Sequence, residues 1–293
     1  MKIKRTAKYL GLLFIALFSS WNKRLGWAFI AIASITSCTH DTEHILTQEC
    51  EIRLTSEITP SRAEQDLQST QIVENQQIGV TIVGAQKEHD NIAWNAGPYG
   101  ALTNTGSPVY WGESEVTITA YHPYISSWTD NVFSVNTDQS TNAGYLNSDL
   151  LWASTIASIT AKPISLIFVH KLAKINVVIS GDKDLSGTTI CICGTHIATG
   201  FNPVTGLLTD VEGTIADITA GITTNNAYTA SAIIVPQAIE KGTKFIKLTN
   251  GNKDYYYTLP ERKEYQSGHS YNYTLKIDDS NMENPIEVEE FEW

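Results

Sequence analysis

The sequence has 293 residues, with 31 Asp and Glu against 20 Lys and Arg, and a formal net charge of −11. Residues 1–37 hold six of the basic residues and no acidic residue, so the rest of the chain carries a charge of −17 (−11 minus 6). A chain this acidic argues against nucleic acid and anionic membrane surfaces as partners. The 256 residues (293 minus 37) that follow fit one large or two ordinary domains.

The chain begins with a doubled export signal. Two apolar runs, 9–21 and 25–36, each follow basic residues, and the second ends in small residues as a signal peptide does. Each run is shorter than the roughly 20 residues that a membrane-spanning helix needs, which disfavours a two-helix anchor. Since Met282 is the only other methionine, either the basic region is unusually long or translation starts at a non-Met codon near Trp21.

The second run ends in Ile35-Thr36-Ser37-Cys38. This sequence resembles a lipobox, in which small residues precede a cysteine that is acylated and becomes the new N-terminus. Acyl chains bury CH₂ groups in the bilayer at roughly 0.8 kcal/mol each, and two or three of them hold a domain on a membrane. We therefore predict a signal peptide over 1–37 and a lipid anchor on Cys38. A plain secretory signal with an incidental Cys38 is the alternative.

Residues 50–58 alternate between apolar and polar side chains, which predicts a strand with one buried face formed by Cys50, Ile52, Leu54 and Ile58. A loop with Pro60 follows, in which Arg62 precedes the small Ala63, and such loops are readily cut by trypsin-like proteases. Cleavage after Arg62 would release the anchor together with this strand and open a groove for another chain's strand. A strand that stays in place, with Arg62 in an ordinary loop, is the equal alternative.

The rest of the chain alternates in short segments separated by turn sequences such as Asn104-Thr105-Gly106 and Asn250-Gly251-Asn252. This pattern predicts β-sandwich architecture, and no segment is predicted to be a helix. Residues 136–149 have little to bury and are predicted to form a long loop. We place a domain boundary at Lys162-Pro163. The predicted strands include 78–83, 116–121, 164–179, 230–235, 245–248, 255–259 and 271–277.

The C-terminal segment 285–293 is predicted to be an unusual terminal strand. Ile286 and Val288 share one face, and the alternation then slips, so that Phe291 and Trp293 are predicted to follow a bulge. A chain that ends on Trp after an acidic and apolar strand is not a typical frayed terminus. We expect this segment to pair with its own sheet or with the groove of a neighbouring subunit.

Motifs of catalysis, metal binding and nucleotide binding are not found in the sequence. His170 is the one candidate general base, and we interpret it as a structural residue at a strand end. Cys191 and Cys193 are too close in the chain for a relaxed disulfide and are interpreted as small buried residues. Aromatic residues that could stack on a sugar are more often core residues in β proteins; they are Trp94, Trp111, Tyr121, Tyr124, Trp128 and the run Tyr255-Tyr256-Tyr257.

The chain resembles the fimbrillins, including the fimbrillin-like lipoproteins of Gram-negative anaerobes. The resemblance covers about 50–293 and depends on the order and spacing of several short motifs. Besides the lipobox, these are Ser61-Arg62-Ala63, Ile78-Gly79-Val80, Ala120-Tyr121-His122-Pro123-Tyr124, Ser148-Asp149-Leu150-Leu151-Trp152-Ala153, the segment 166–175, Ile234-Val235-Pro236-Gln237, Gly268-His269-Ser270-Tyr271-Asn272-Tyr273 and the tail ending in Trp293.

The resemblance implies an all-β protein with two tandem transthyretin-like Greek-key β-sandwich domains, at 63–161 and 162–293. It implies export as an outer-membrane lipoprotein with a propeptide, 38–62, that an arginine-specific protease removes between Arg62 and Ala63. Subunits would then polymerise into surface fimbriae by strand exchange, with Ile286, Val288, Phe291 and Trp293 in the donor or switch strand 285–293. Expected partners are other fimbrial subunits, the protease, the outer membrane through the lipid, and a host glycan or protein.

No cofactor, metal, nucleic acid or enzymatic activity is expected. The first alternative is a monomeric surface lipoprotein that binds a glycan or host protein through its loops. The second is a β-sandwich hydrolase, which the absence of a nucleophile motif disfavours.

Overall fold

The computed structural model describes residues 50–59, 67–68, 70–180, 184–209, 213–223, 228–277 and 287–293. Strands dominate these ranges. The first eight are β1 Leu54–Ile58, β2 Gln77–Val83, β3 His89–Ala96, β4 Ala101–Asn104, β5 Glu115–His122, β6 Val132–Ser134, β7 Leu151–Ser158 and β8 Ile164–His170. A 3₁₀ turn, Pro98–Gly100, precedes β4, and a five-residue helix, α1 Asn142–Leu146, precedes β7.

The remaining strands of the described residues lie in the second half of the chain. They are β9 Ala173–Ser180, β10 Thr189–His196, β11 Ala198–Phe201, β12 Leu208–Thr209, β13 Ile215–Thr219, β14 Gly221–Thr223, β15 Tyr228–Ile234, β16 Gln237–Ile239, β17 Lys244–Asn250, β18 Lys253–Thr258, β19 Lys263–Tyr265, β20 His269–Lys276 and β21 Glu287–Glu292.

The first core lies inside a seven-stranded sheet that closes on itself in the order β1-β4-β3-β2-β5-β7-β8. Its inward side chains follow the period of two that the sequence predicts: Ile78, Val80 and Ile82 are buried on β2, and Val116, Ile118 and Ala120 on β5. Trp111 and Phe168 are fully enclosed in this core. The alternation of the sequence therefore specified which face of each strand is buried.

The second core lies between a five-stranded sheet, β14-β15-β9-β20-β21, and a four-stranded sheet, β13-β10-β17-β18. Side chains of β9 and β20 face those of β10 and β17, and Tyr265, Tyr271 and Tyr273 fill much of the space. Phe245 stacks on Tyr265 with ring centroids 5.1 Å apart. The predicted all-β fold with sandwich-like sheets is confirmed.

The first sheet includes β8, which follows Lys162 in the chain. Strand β8 pairs in parallel with β1 and antiparallel with β7, and its Phe168 belongs to the first core. Leu172, four residues further on, belongs to the second core. β8 has the same alternating pattern as the strands before and after it in the chain, so the sequence alone could not assign it to one sheet.

The prediction of a long loop over 136–149 is wrong. Within it α1 forms with Thr141 as its N-cap, whose Oγ1 accepts from Gly144 N. Tyr145 is buried in the second core, and Gln139 is fully buried although polar. The Gln139 side chain takes the place of a strand: its Nε2 donates to Ile233 O at 2.8 Å and its Oε1 accepts from Ile233 N at 2.7 Å. Composition missed this segment because amide pairing, not apolar area, fixes it.

Gln139→Met should remove both hydrogen bonds while keeping the side-chain length, leaving two buried backbone groups of Ile233 unpaired. We expect a loss of about 2–4 kcal/mol in the free energy of unfolding, measured by urea denaturation. The control is Gln77→Met, whose amide bonds Asn95 at the surface and should cost under about 0.5 kcal/mol. Equal losses for the two variants would contradict this role of Gln139.

Candidate functional site

Strand β1 completes the closed sheet of the first core. It lies between β8, with which it pairs in parallel from Leu54–Ile164 to Ile58–Phe168, and β4, with which it pairs antiparallel through Leu54–Leu102. The residues before β1 also pair, since Ile52 N donates to Val109 O at 2.8 Å and Trp111 N to Cys50 O at 3.1 Å. The segment is therefore bonded along both of its edges.

The inner face of this segment is entirely buried. Cys50, Ile52, Leu54, Ser56 and Ile58 are each 2–3% exposed, whereas the intervening Glu51, Arg53 and Glu57 are exposed. The alternation predicted for 50–58 is confirmed. Burying its three aliphatic side chains stabilises the fold by roughly 5–9 kcal/mol, at about 1.5–3 kcal/mol each.

The C-terminal strand, which we define as β21 with Trp293, pairs antiparallel with β20 at the end of the five-stranded sheet. Its register runs without interruption from Glu287–Thr274 to Glu292–His269, so the predicted bulge between Val288 and Phe291 is wrong here. Without a bulge, Val288 lies on the opposite face of the strand from Phe291. Trp293 is buried, and Val288 is 43% exposed.

Trp293 is held at the point where the two cores meet. Its ring stacks on the imidazole of His170 with centroids 3.8 Å apart and an interplanar angle of 14°. The main-chain N–H of Trp293 donates to Gly268 O at 2.7 Å, and Nζ of the buried Lys174 lies 5.6 Å from the Trp293 ring centroid. A terminal residue with these contacts is docked, which agrees with the expectation that this end of the chain does not fray.

Asp149 joins the surrounding segments. Its Oδ1 is 2.8 Å from His170 Nδ1, and its Oδ2 accepts from Gln68 Nε2 at 3.0 Å. Its main-chain oxygen accepts from His122 Nδ1 at 3.0 Å. All four residues are buried. We call Gln68, His122, Asp149, His170 and Trp293 the Asp149 cluster.

The sequence located only part of this cluster. It identified His170 as a structural residue at a strand end, and the structure gives that residue a structural hydrogen bond and a structural stacking partner. Asp149 and Gln68 were not singled out, because 21 and 81 residues separate Asp149 from its two side-chain partners. Asp149 does lie within one of the motifs that the resemblance used, and that was the only signal available.

Other predicted sites are placed as follows. Cys38, Arg62, Ala63 and Ile286 lie outside the described residues. Cys193 is buried, which raises the pKa of its thiol to about 12, and Cys191 is half-buried; both are free. Of the aromatic residues considered for sugar stacking, most are core residues: Trp94, Trp111, Tyr121, Tyr255 and Tyr257 are all buried.

Within the described ranges, no group of three or more His, Cys, Asp or Glu side chains is placed to hold a metal ion. No helix in the same ranges has both the length and the apolar character needed to cross a bilayer.

The profile of the fimbrillin-like family matches residues 61–293. The chain belongs to the fimbrillin-like family. A curated protein of Bacteroides uniformis named "Putative fimbrium subunit Fim1C" is 27% identical over 187 residues, which are 59% of this chain. The match spans 60% of the length of that relative.

Solved structures share the fold of this fimbrillin-like protein. A "putative cell adhesion protein" of Bacteroides ovatus has a TM-score of 0.64 and 18% identity, over 83% of this chain and 97% of the other. Another from Bacteroides uniformis has a TM-score of 0.58 and 23% identity, over 81% and 98% of the two chains. At these identities the likeness establishes the fold alone.

Burial lowers the pKa of His122 below its ordinary value of 6.5, despite the opposing effect of the Asp149 hydrogen bond. The folded state therefore binds a proton less readily than the unfolded state, so stability falls as the pH drops below about 6.5. Burial also lowers the pKa of His89, which adds to the same slope.

His122→Asn keeps a donor toward Asp149 O and removes the titration. We expect the melting temperature of the unmodified protein to fall between pH 7.5 and pH 5.5, and to fall by less in the variant. Differential scanning calorimetry at the two pH values measures this. The difference in melting temperature between the two pH values is taken for each protein separately, so the pH-independent cost of the substitution cancels. Equal differences in the two proteins would contradict the assignment of this pH dependence to His122.

Proposed function

We propose that this chain is a structural subunit of a cell-surface fimbria that supports adhesion. It would be exported as a lipoprotein held at the outer membrane by acyl chains on Cys38. Cleavage after Arg62 by an arginine-specific protease would then remove residues 38–62 and begin assembly with other subunits. Membership of the fimbrillin-like family supports the fimbrial role, and the geometry of β1 supports the assembly step.

The observation that carries the proposal is that β1 closes the first sheet and ends at Ile58, four residues before Arg62. While the chain is intact, β1 is tethered to its groove and rebinds each time it opens. After cleavage it is held only by its own contacts, because the high effective concentration supplied by the tether is lost. An incoming strand can then compete for the same site.

The groove that β1 fills demands a particular strand. Its neighbours β4 and β8 offer backbone groups on both sides, and Leu102, Leu166 and Phe168 line its apolar floor. A replacement must be extended and carry apolar side chains two residues apart. Releasing β1 without replacement would expose these residues, so exchange of one strand for another is favoured over simple loss.

The C-terminal strand is our candidate donor. It lies at the edge of its sheet, and in this position 43% of the Val288 surface is exposed to solvent. Ile286 is two residues away in the sequence, which gives the spacing that the groove requires. Docked in its own sheet, the segment leaves Val288 partly exposed to solvent.

The cleavage step is tested on the chain expressed without residues 1–37. Arg53→Lys and Arg262→Lys leave Arg62 as the sole arginine of residues 38–293. An arginine-specific endoprotease should give one cut, followed by ladders that resist SDS on gels, because each exchanged strand is bonded along both edges. The same protein with Arg62→Lys is the control. Resistance at Arg62, or cleavage without oligomers, would contradict strand exchange.

Val288→Asp tests the donor. Because 43% of the Val288 side chain is already exposed, the monomer should lose less than about 0.5 kcal/mol in unfolding free energy. Insertion into an apolar groove would bury the new carboxylate, so ladder formation should fall at least tenfold. Val83→Asp is the matched control, since Val83 is also an exposed strand residue, 67% exposed on β2. Undiminished ladders with Val288→Asp would place the donor elsewhere in the chain.

A further inference from the structure

Both ends of the chain that would remain after cleavage reach the same buried carboxyl group. Gln68 is six residues after Arg62 and donates to Asp149 Oδ2 at 3.0 Å. At the other end, Trp293 stacks at 3.8 Å on His170, whose Nδ1 is 2.8 Å from Asp149 Oδ1. Asp149 thus links the segment that follows the cleavage site to the last residue of the chain through two contacts.

The burial of this link makes it sensitive to the loss of any member. Gln68 and Asp149 are fully buried, His170 is 4% exposed and Trp293 is 6% exposed. When a buried carboxyl oxygen loses its donor, water cannot replace it, so the full cost of leaving it unsatisfied is incurred. The carboxyl group, and the imidazole that it orients, would then have to rearrange.

Strand β8 provides a second connection to the same place. It pairs with β1 from Ile164 to Phe168, Thr59 N donates to Phe168 O at 3.0 Å, and the strand ends two residues later at His170. The strand that pairs with β1 therefore also presents, at its C-terminal end, the ring on which Trp293 stacks. Loss of β1 would loosen β8 from the side of the first core.

We propose that Asp149 couples the two ends of the chain. Withdrawal of Gln68 would weaken the stacking of Trp293 on His170 and release the C-terminal strand. Gln68 and Asp149 are positioning residues that act through His170. In the intact chain this arrangement means that β1 fills its groove and the C-terminal strand stays docked at the same time. The significance for assembly rests on the proposed function, but the coupling itself is a property of the uncleaved chain.

The coupling is tested in the uncleaved protein by hydrogen exchange with mass spectrometry. Gln68→Met removes the amide donor and keeps the length of the side chain. Amides of β21 should exchange about tenfold faster than in the unmodified protein, as expected for the loss of one hydrogen bond to a buried carboxyl group. Amides of β9 and β15 should be unchanged, because they lie further inside the same sheet.

Gln139→Met is the matched control, since it also removes a fully buried amide but contacts β15 and not the Asp149 cluster. It should not accelerate β21 selectively. Unchanged exchange in β21 with Gln68→Met, or acceleration of β9, β15 and β21 alike, would overturn the proposal.

A second variant distinguishes coupling through His170 from a general loss of stability. His170→Phe keeps an aromatic ring under Trp293 and cuts its bond to Asp149. In this background Gln68→Met should no longer alter β21 exchange, whereas a persistent tenfold effect would overturn the route through His170. Because no cleavage is involved, the result is independent of the strand-exchange assay. Ladders without coupling would refute only this inference, and coupling without ladders would refute only the proposed function.

Discussion

The first core depends on a strand that fills the position between β4 and β8. A sheet that closes on itself has no free edge, so each strand satisfies backbone groups on both sides and covers one sector of the core. β1 does both, with three buried side chains of its own, Leu54, Ser56 and Ile58, and pairing with β8 along its whole length. Any change at this position must bring another strand or expose Phe168 and its neighbours to water.

In the second core, backbone groups that would be left unpaired are satisfied in a different way. Its five-stranded sheet would leave backbone groups of Ile233 unpaired, since β14 pairs with β15 only as far as Ser231. The amide of Gln139 supplies both missing hydrogen bonds, and Tyr145 and Leu150 from the same connection add apolar contact. A segment that precedes β7 in the chain is thus built into the core that follows β8. The two cores are interlocked in sequence although each has its own sheets.

Contacts across the junction extend this interlocking. Tyr121 of β5 belongs to the second core, where its ring packs at 5.3 Å from Trp128 and 6.0 Å from Phe201. Trp152 of β7 donates from Nε1 to Pro203 O at 3.0 Å. Along the C-terminal strand Glu289 and Glu292 are exposed, and Glu290 pairs with Lys263 at 3.1 Å. Acidic side chains along a sheet edge discourage accidental pairing with other strands.

The sequence by itself determined the fold class and the inner face of most strands, because alternation with a period of two is written locally in residues such as Ile52, Leu54, Ile78 and Val80. It also predicted strands within 50–58 and 285–293, where the structure has β1 and β21. It did not determine that β8 joins the first sheet, that Gln139 replaces a strand, or that the C-terminal strand has no bulge. Only the tertiary structure decided these points and assembled Gln68, Asp149, His170 and Trp293, because their contacts join residues up to 123 positions apart, from His170 to Trp293. Contacts of that kind leave no periodic trace in the chain, and they exist only once both cores have formed.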